Sequence, residues 1–225
     1  AAKVPILMIE PSKKEYWHLA SKLLDLRIYS YGQDAELLRM NPLIPEEGVI
    51  IANHIDSLMY AFAGAFEMEE PTRLALQGLL RYAYSHYHWG MSDRAYHSEK
   101  RYPKLMDLLY LLPEFCEREL PYGDEVRNNI YGSLMNRLSH LTSGMTGEAM
   151  NTDRGGTGKA LCSGSVLVEL DDLSLEMKPF AAMIVMIKVD QFLRQGDYEA
   201  EFSDWVESRE LRQNAALEIW KDHPW

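Results

Sequence analysis

The chain's 225 residues suffice for one large domain or two small ones, and a hydrophobic content of 47% supports a substantial core. A formal net charge of −11 opposes charge-driven nucleic-acid binding, which needs a basic face. No apolar run reaches the length of a membrane span and no signal peptide opens the chain. The two cysteines, Cys116 and Cys162, match no metal or redox spacing, so the expected setting is cytoplasmic, with reduced thiols and no membrane partner.

The first element is a strand. Val4, Ile6, Leu7, Met8 and Ile9 form a near-continuous apolar run, the pattern of a strand covered on both faces, and Glu10-Pro11 ends it. Ser12 and Glu15 stand at capping-box spacing, and Tyr16, Leu19, Ala20, Leu23 and Leu24 follow as one face of a helix. Arg27 to Tyr31 is a second strand, so residues 4–52 open with a β-α-β unit, expected to be parallel and right-handed. Asn41-Pro42 and Ile44-Pro45 mark an extended loop, and Val49 to Ala52 fits a short strand or a loop edge.

A helical block is expected over 53–142. Its helices are Ile55 to Phe66; one entered at Pro71 and broken at Gly90; one opened at Pro103 and stopped by Pro113; and one capped by Asp124, with Val126, Ile130, Leu134, Leu138 and Leu141 as its stripe. Residues 91–101 read as a loop. The Gly-, Ser- and Thr-rich stretch 143–164 reads as a flexible loop. Over 165–196, Val166 to Leu170 is a strongly apolar strand, and Pro179 starts a helix that is apolar almost all round. Residues 197–225 predict a C-terminal helix with Trp205, Leu217 and Trp220. The fold class is α/β and helix-rich: one domain with a small parallel sheet and a large helical insertion. In such sheets chemistry gathers at the carboxyl ends of strands, here Glu10 to Lys14, Tyr31 to Gln33 and Glu169 to Asp172.

Several motifs offer chemistry. A carboxylate at Glu10 or Glu15, flanking a strand-to-helix turn, can hold a Mg²⁺ water or orient an attacking water; Glu15 also reads as the N3 member of the capping box. Asp153 to Ala160, DRGGTGKA, invites a phosphate-loop reading and fails it. That pattern needs Gly at Asp153, Ser or Thr at Ala160, a strand before and a helix after. His54 with Asp56, and His86 with His88, lack further ligands at a diagnostic spacing, so no metal site is expected. Val166 to Asp172, VLVELDD, fits either an acidic strand end that orients Mg²⁺ or an ordinary core strand. Ser163-Gly164-Ser165 does not fit a nucleophile elbow.

Taken together, PILMIEPSKKEYWHL, RIYSYGQD, MNPL, GVIIANHIDSLMYAFAGAF, YPKLMDLL, the GDEV helix running to RLSHLTSGMTGEAM, and SVLVELDDLSLEMKPFAAMIVMIKVDQFLR resemble, in order, the HerA/FtsK-type ATPases, especially bacterial HerA-like ones. The likeness runs from about residue 4 to about residue 194. It implies a RecA-like P-loop fold, a hexameric ring, ATP with Mg²⁺ as cofactors and double-stranded DNA as the partner. It places Glu10 and Glu15 as catalytic residues beside the nucleotide, Ser12 and Lys13 against the cofactor, and Arg137 at a ring interface. Arg137 also reads as a solvated helix arginine. In that family the phosphate-gripping Walker A loop precedes the position of Val4, where this chain has Ala1-Ala2-Lys3. The acidic Walker B strand follows the position of Arg194, where the tail carries no apolar strand ending in paired acids. The expectation is therefore the central segment of a DNA translocase or helicase motor, inactive alone. The alternative is a non-catalytic assembly module of a ring complex.

Overall fold

The computed structural model describes residues 5–12, 14–23, 25–32, 35–96, 100–153, 155 and 158–195. Residues 1–192 form one compact unit, described here; a second unit begins at Leu193, and the helix expected over 197–225 lies outside the described residues. The fold is helix-rich α/β with a four-stranded, all-parallel sheet. Its strands are β1 (Leu7–Glu10), β2 (Arg27–Ser30), β3 (Glu36–Leu37) and β4 (Val166–Glu169), in the order β1-β4-β2-β3. The last strand in sequence thus lies between the first two. β4 is buried along its whole length, as the VLVE run predicts. β1 differs from the two-face-covered expectation. It is the edge strand of the described sheet, half-buried over Leu7 to Ile9, with Ile6 45% exposed beside it.

The segment after β1 also departs from its pattern. It forms a short 3-10 helix, Glu15–Ser21, whose N-cap is Lys14 at φ 51°, and no side chain at that position caps it. Glu15 therefore sits one residue into the helix rather than three. The Ser12–Glu15 capping box gives way to a cap from the strand itself, the carboxylate of Glu10.

The helical block comprises α1 (Ile51–Ala65), α2 (Glu70–His86), α3 (Leu105–Arg118) and α4 (Asp124–Leu141). The short strand expected at 49–52 is reduced to one bridge, Ile50 to Arg94, and α1 begins at once. Pro113 does not stop α3 but lies inside it. An internal proline costs about 3 kcal/mol. Burial of Leu111, Leu112, Phe115 and Cys116 around it offsets that, at roughly 2 kcal/mol for each large apolar side chain. Within 143–164 the described residues include two short helices, α5 (Gly144–Met150) and α6 (Gly158–Cys162), whose small residues let backbones approach closely. A Cβ on Gly147 would lie 2.1 Å from the carbonyl oxygen of Thr142, and one on Gly158 would lie 2.4 Å from that of Lys188. α7 (Met177–Leu193) is apolar on most faces and buried, with Phe180 packed 5.1 Å from Phe62 of α1.

One polar network runs through this interior. Lys188 of α7 donates to the carbonyl of Ile44 and lies 3.8 Å from the Glu46 carboxylate. Glu46 accepts from the backbone N–H of Gly158 (2.9 Å) and gives its own N–H to Gln191 (3.2 Å). Gln191 reaches His54 Nδ1 at 2.8 Å, and His54 Nε2 reaches the carbonyl of Pro42 at 2.9 Å. Lys188, His54, Gln191 and Glu46 are all buried, and every bond but that of His54 to Pro42 joins segments far apart in sequence.

Candidate functional site at the carboxyl edge of the sheet

Parallel register brings the strand ends together. Glu10 pairs with Glu169, and Glu169 with Ser30 on its other side. All three are buried: Glu10 is 3% exposed, Glu169 0% and Ser30 1%. Two carboxylates on neighbouring strands at the ordinary spacing of about 4.8 Å repel by roughly 3 kcal/mol at an effective dielectric of 20. Burial, and then the facing Glu10 carboxylate, push the Glu169 carboxyl above the usual glutamate range. Hydrogen bonds from the backbone N–H of Asp171 (3.1 Å) and from Trp17 Nε1 (3.2 Å) pull the other way. Glu10 in turn accepts from the N–H groups of Glu15 (2.7 Å) and Tyr16 (3.3 Å).

Around this pair lies a rim of opposite charges. The Lys14 ammonium is 3.7 Å from Asp172 and 5.5 Å from the centroid of the Trp17 ring, and Lys178 is 3.6 Å from Asp171. Gly32 packs closely beneath Asp172: a Cβ there would lie 2.1 Å from the carboxylate, which would have to swing aside. A cavity of about 490 Å³ opens beside β2 and β4, lined by Tyr31, Gly32, His140, Ser143 to Thr146, Asp172 to Ser174 and Met177. The Tyr31 hydroxyl is buried without a hydrogen-bond partner, and burial pushes its pKa up.

The structure thus joins Glu10 to Glu169 and to the backbone of Glu15. The Glu15 side chain and Ser12 are exposed, and Lys13 lies outside the described residues. Arg137 is elsewhere, on α4. Its guanidinium donates to the carbonyls of Ser133 (2.9 Å) and Glu67 (2.6 Å), tying α4 to the α1–α2 connection. Trp17 was missed as part of the site, although a tryptophan just after a strand-end acid is a visible signal. The Glu10–Glu169 pairing has no signal in a sequence, because it depends on register across 159 positions.

The residues present do not fit a phosphate or a Mg²⁺ ion. Both Glu10 oxygens face backbone N–H groups, and both Glu169 oxygens are engaged. In the glycine-rich DRGGTGKA stretch, the Gly158 N–H points inward to Glu46 rather than outward to a ligand. Among the described residues, no group of three or more His, Cys, Asp or Glu is placed to hold a metal ion. His54 is spent on the interior network, and Asp56 accepts from Gln77 at 3.1 Å. No described helix is long and apolar enough to cross a membrane.

The sequence matches no family model and no curated protein. The fold does match a solved structure, that of VirB4 from Thermoanaerobacter pseudethanolicus. The TM-score is 0.62 at 16% identity, over 85% of this chain and 70% of that one. At that identity the likeness is one of fold.

Proposed function

We propose that this chain is a central segment of an ATP-driven DNA motor of the FtsK/HerA type, supplying the sheet and helical block and turning over no ATP alone. The observation that carries this reading is the all-parallel β1-β4-β2-β3 sheet with an acidic carboxyl edge, on a fold shared with VirB4. The ordered sequence likeness over about residues 4 to 194 supports it independently. In this reading Walker A and Walker B elements outside the described residues hold ATP and Mg²⁺. The Glu10–Glu15 turn, with Ser12 and Lys13, flanks the nucleotide. Glu10 acts there as a positioning residue, because its carboxylate fixes the turn. The working form is a cytoplasmic hexamer on double-stranded DNA, with Arg137 as the ring-contact candidate.

The test is mass photometry of the purified chain together with phosphate release in Mg·ATP and double-stranded DNA. Ring-sized assemblies with release at the level of the blank are expected. Steady release that survives Lys159→Ala, or a chain that stays monomeric at every concentration, overturns the reading. A second reading, a non-catalytic assembly module, draws on the helical block's exposed Tyr60 (72%) and Tyr110 (75%). Assemblies that form equally well without ATP or DNA, and bind neither, favour it.

A further inference from the structure

We propose that the Glu10–Glu169 carboxyl pair is a proton-operated latch that docks the Glu15–Ser21 turn onto the carboxyl edge of the sheet. The inference needs only the geometry of the pair and stands whether or not the motor reading holds.

Each carboxyl of the pair holds a different part of the turn. Glu10 accepts from the N–H groups of Glu15 and Tyr16, and Glu169 accepts from the indole of Trp17. These three bonds fasten consecutive residues of one short 3-10 helix that buries none of its own side chains. The turn has little apolar packing to hold it, so the two carboxyls are its principal anchor.

The anchor works only while the two acids tolerate each other. Register fixes them side by side on β1 and β4, both buried. One proton between two carboxyls makes that contact attractive; removing it leaves two facing anions out of water. One of them must then move toward solvent. Whichever moves breaks a bond to the turn, since both hold it. Loss of the proton therefore undocks the turn, and its return redocks it.

The surroundings set the balance. From β1 comes Glu10. From β4 and its extension come Glu169, Asp171 and Asp172, and the register neighbour on β2 is the uncharged Ser30. From the turn come Lys14, which reaches Asp172 and the Trp17 ring, and Glu15, Tyr16 and His18; His18 Nδ1 lies 2.6 Å from the carbonyl of Glu15. From α7 comes Lys178, paired with Asp171. The two lysines lie against the outer aspartates, so their charge is matched at the rim.

The test follows the indole N–H of Trp17 by ¹⁵N NMR in the full chain, its resonance identified by its loss in Trp17→Phe. Wild type should show a titration of this resonance with a midpoint above the ordinary glutamate value. Exchange of the Glu15 and Tyr16 amides, corrected for intrinsic rates, should speed up at least tenfold across that midpoint. In Glu169→Gln the titration should vanish and the amides stay protected. In Glu10→Gln, which keeps an acceptor oxygen but removes the facing charge, the midpoint should fall by at least one pH unit. A Trp17 midpoint at the ordinary glutamate value, or one that Glu10→Gln leaves in place, overturns the latch. Because Glu10→Gln decides alone, the test survives a Glu169→Gln chain that does not fold.

Discussion

The buried histidine of the interior network makes this domain acid-sensitive, and the size of the effect follows from its bonds. Gln191 donates to His54 Nδ1, so His54 Nε2 carries the proton that it gives to the carbonyl of Pro42. A second proton would face an N–H donor and the nearby Lys188 ammonium inside the protein. Burial first, and then Lys188, lower the His54 pKa from 6.5 to about 3. An unfolded chain takes up that proton near pH 6.5; the folded one refuses it until about pH 3. The stability His54 contributes is therefore complete above pH 6.5 and is lost as the pH falls from there toward 3. At about 1.4 kcal/mol per pH unit the whole window is worth on the order of 5 kcal/mol, against a typical domain stability of roughly 5–15 kcal/mol. Between pH 7 and pH 5 alone the loss is about 2 kcal/mol. The assay is urea unfolding followed by circular dichroism at pH 7, 6 and 5, with wild type and His54→Gln in parallel. Gln can accept from Gln191 and donate to Pro42 but does not titrate. The wild-type curve should fall by about 2 kcal/mol more than the variant's over that range. Parallel curves would refute the assignment of a neutral, doubly bonded His54.

Removing Lys188 as Lys188→Met strands the buried Glu46 carboxylate and should cost about 3–5 kcal/mol, while the double variant Lys188→Met/Glu46→Gln should recover most of it; denaturant midpoints of the three chains decide this. Gly158→Ala places a methyl group 2.4 Å from the Lys188 carbonyl and from the Phe192 side chain, and should destabilise by about 2 kcal/mol. Gly132→Ala, in the middle of α4 with nothing within 4 Å of the new Cβ, should stabilise by about 1 kcal/mol, so the two changes must shift Tm in opposite directions.

Elements carried by local pattern were legible in the sequence. The VLVE run marks β4, and the stripe Ile130, Leu134, Leu138 and Leu141 marks α4, because burial on a strand or one helix face imposes its own period; Val126, expected at the head of that stripe, is instead exposed. Pro113 misled because a proline's local penalty was outweighed by tertiary burial around it. The glycine-rich stretch 143–164 misled for a related reason. Small residues signal freedom when exposed and close contact when buried, and only the packed α7 backbone reveals that Gly158 is the second kind. At the site, Glu10 and Glu169 were each visible as an acid ending a strand, whereas their pairing was not. The Glu10–Glu169 contact and the Glu46–Lys188–His54–Gln191 network are made between segments brought together by topology, which residue spacing does not encode.

The insertion of β4 between β1 and β2 constrains how the chain reaches its native state. Neither of the first two strands touches the other; both pair with β4, made about 140 to 160 residues later, and β2 has besides only its two-residue pairing with β3 in the described sheet. A nascent polypeptide that stops short of Val166 can assemble α1 to α4, whose partners are near in sequence, but lacks the strand that joins β1 to β2. Ring closure over that span delays strand pairing to a late event, so refolding should be biphasic, with helicity developing well before the sheet.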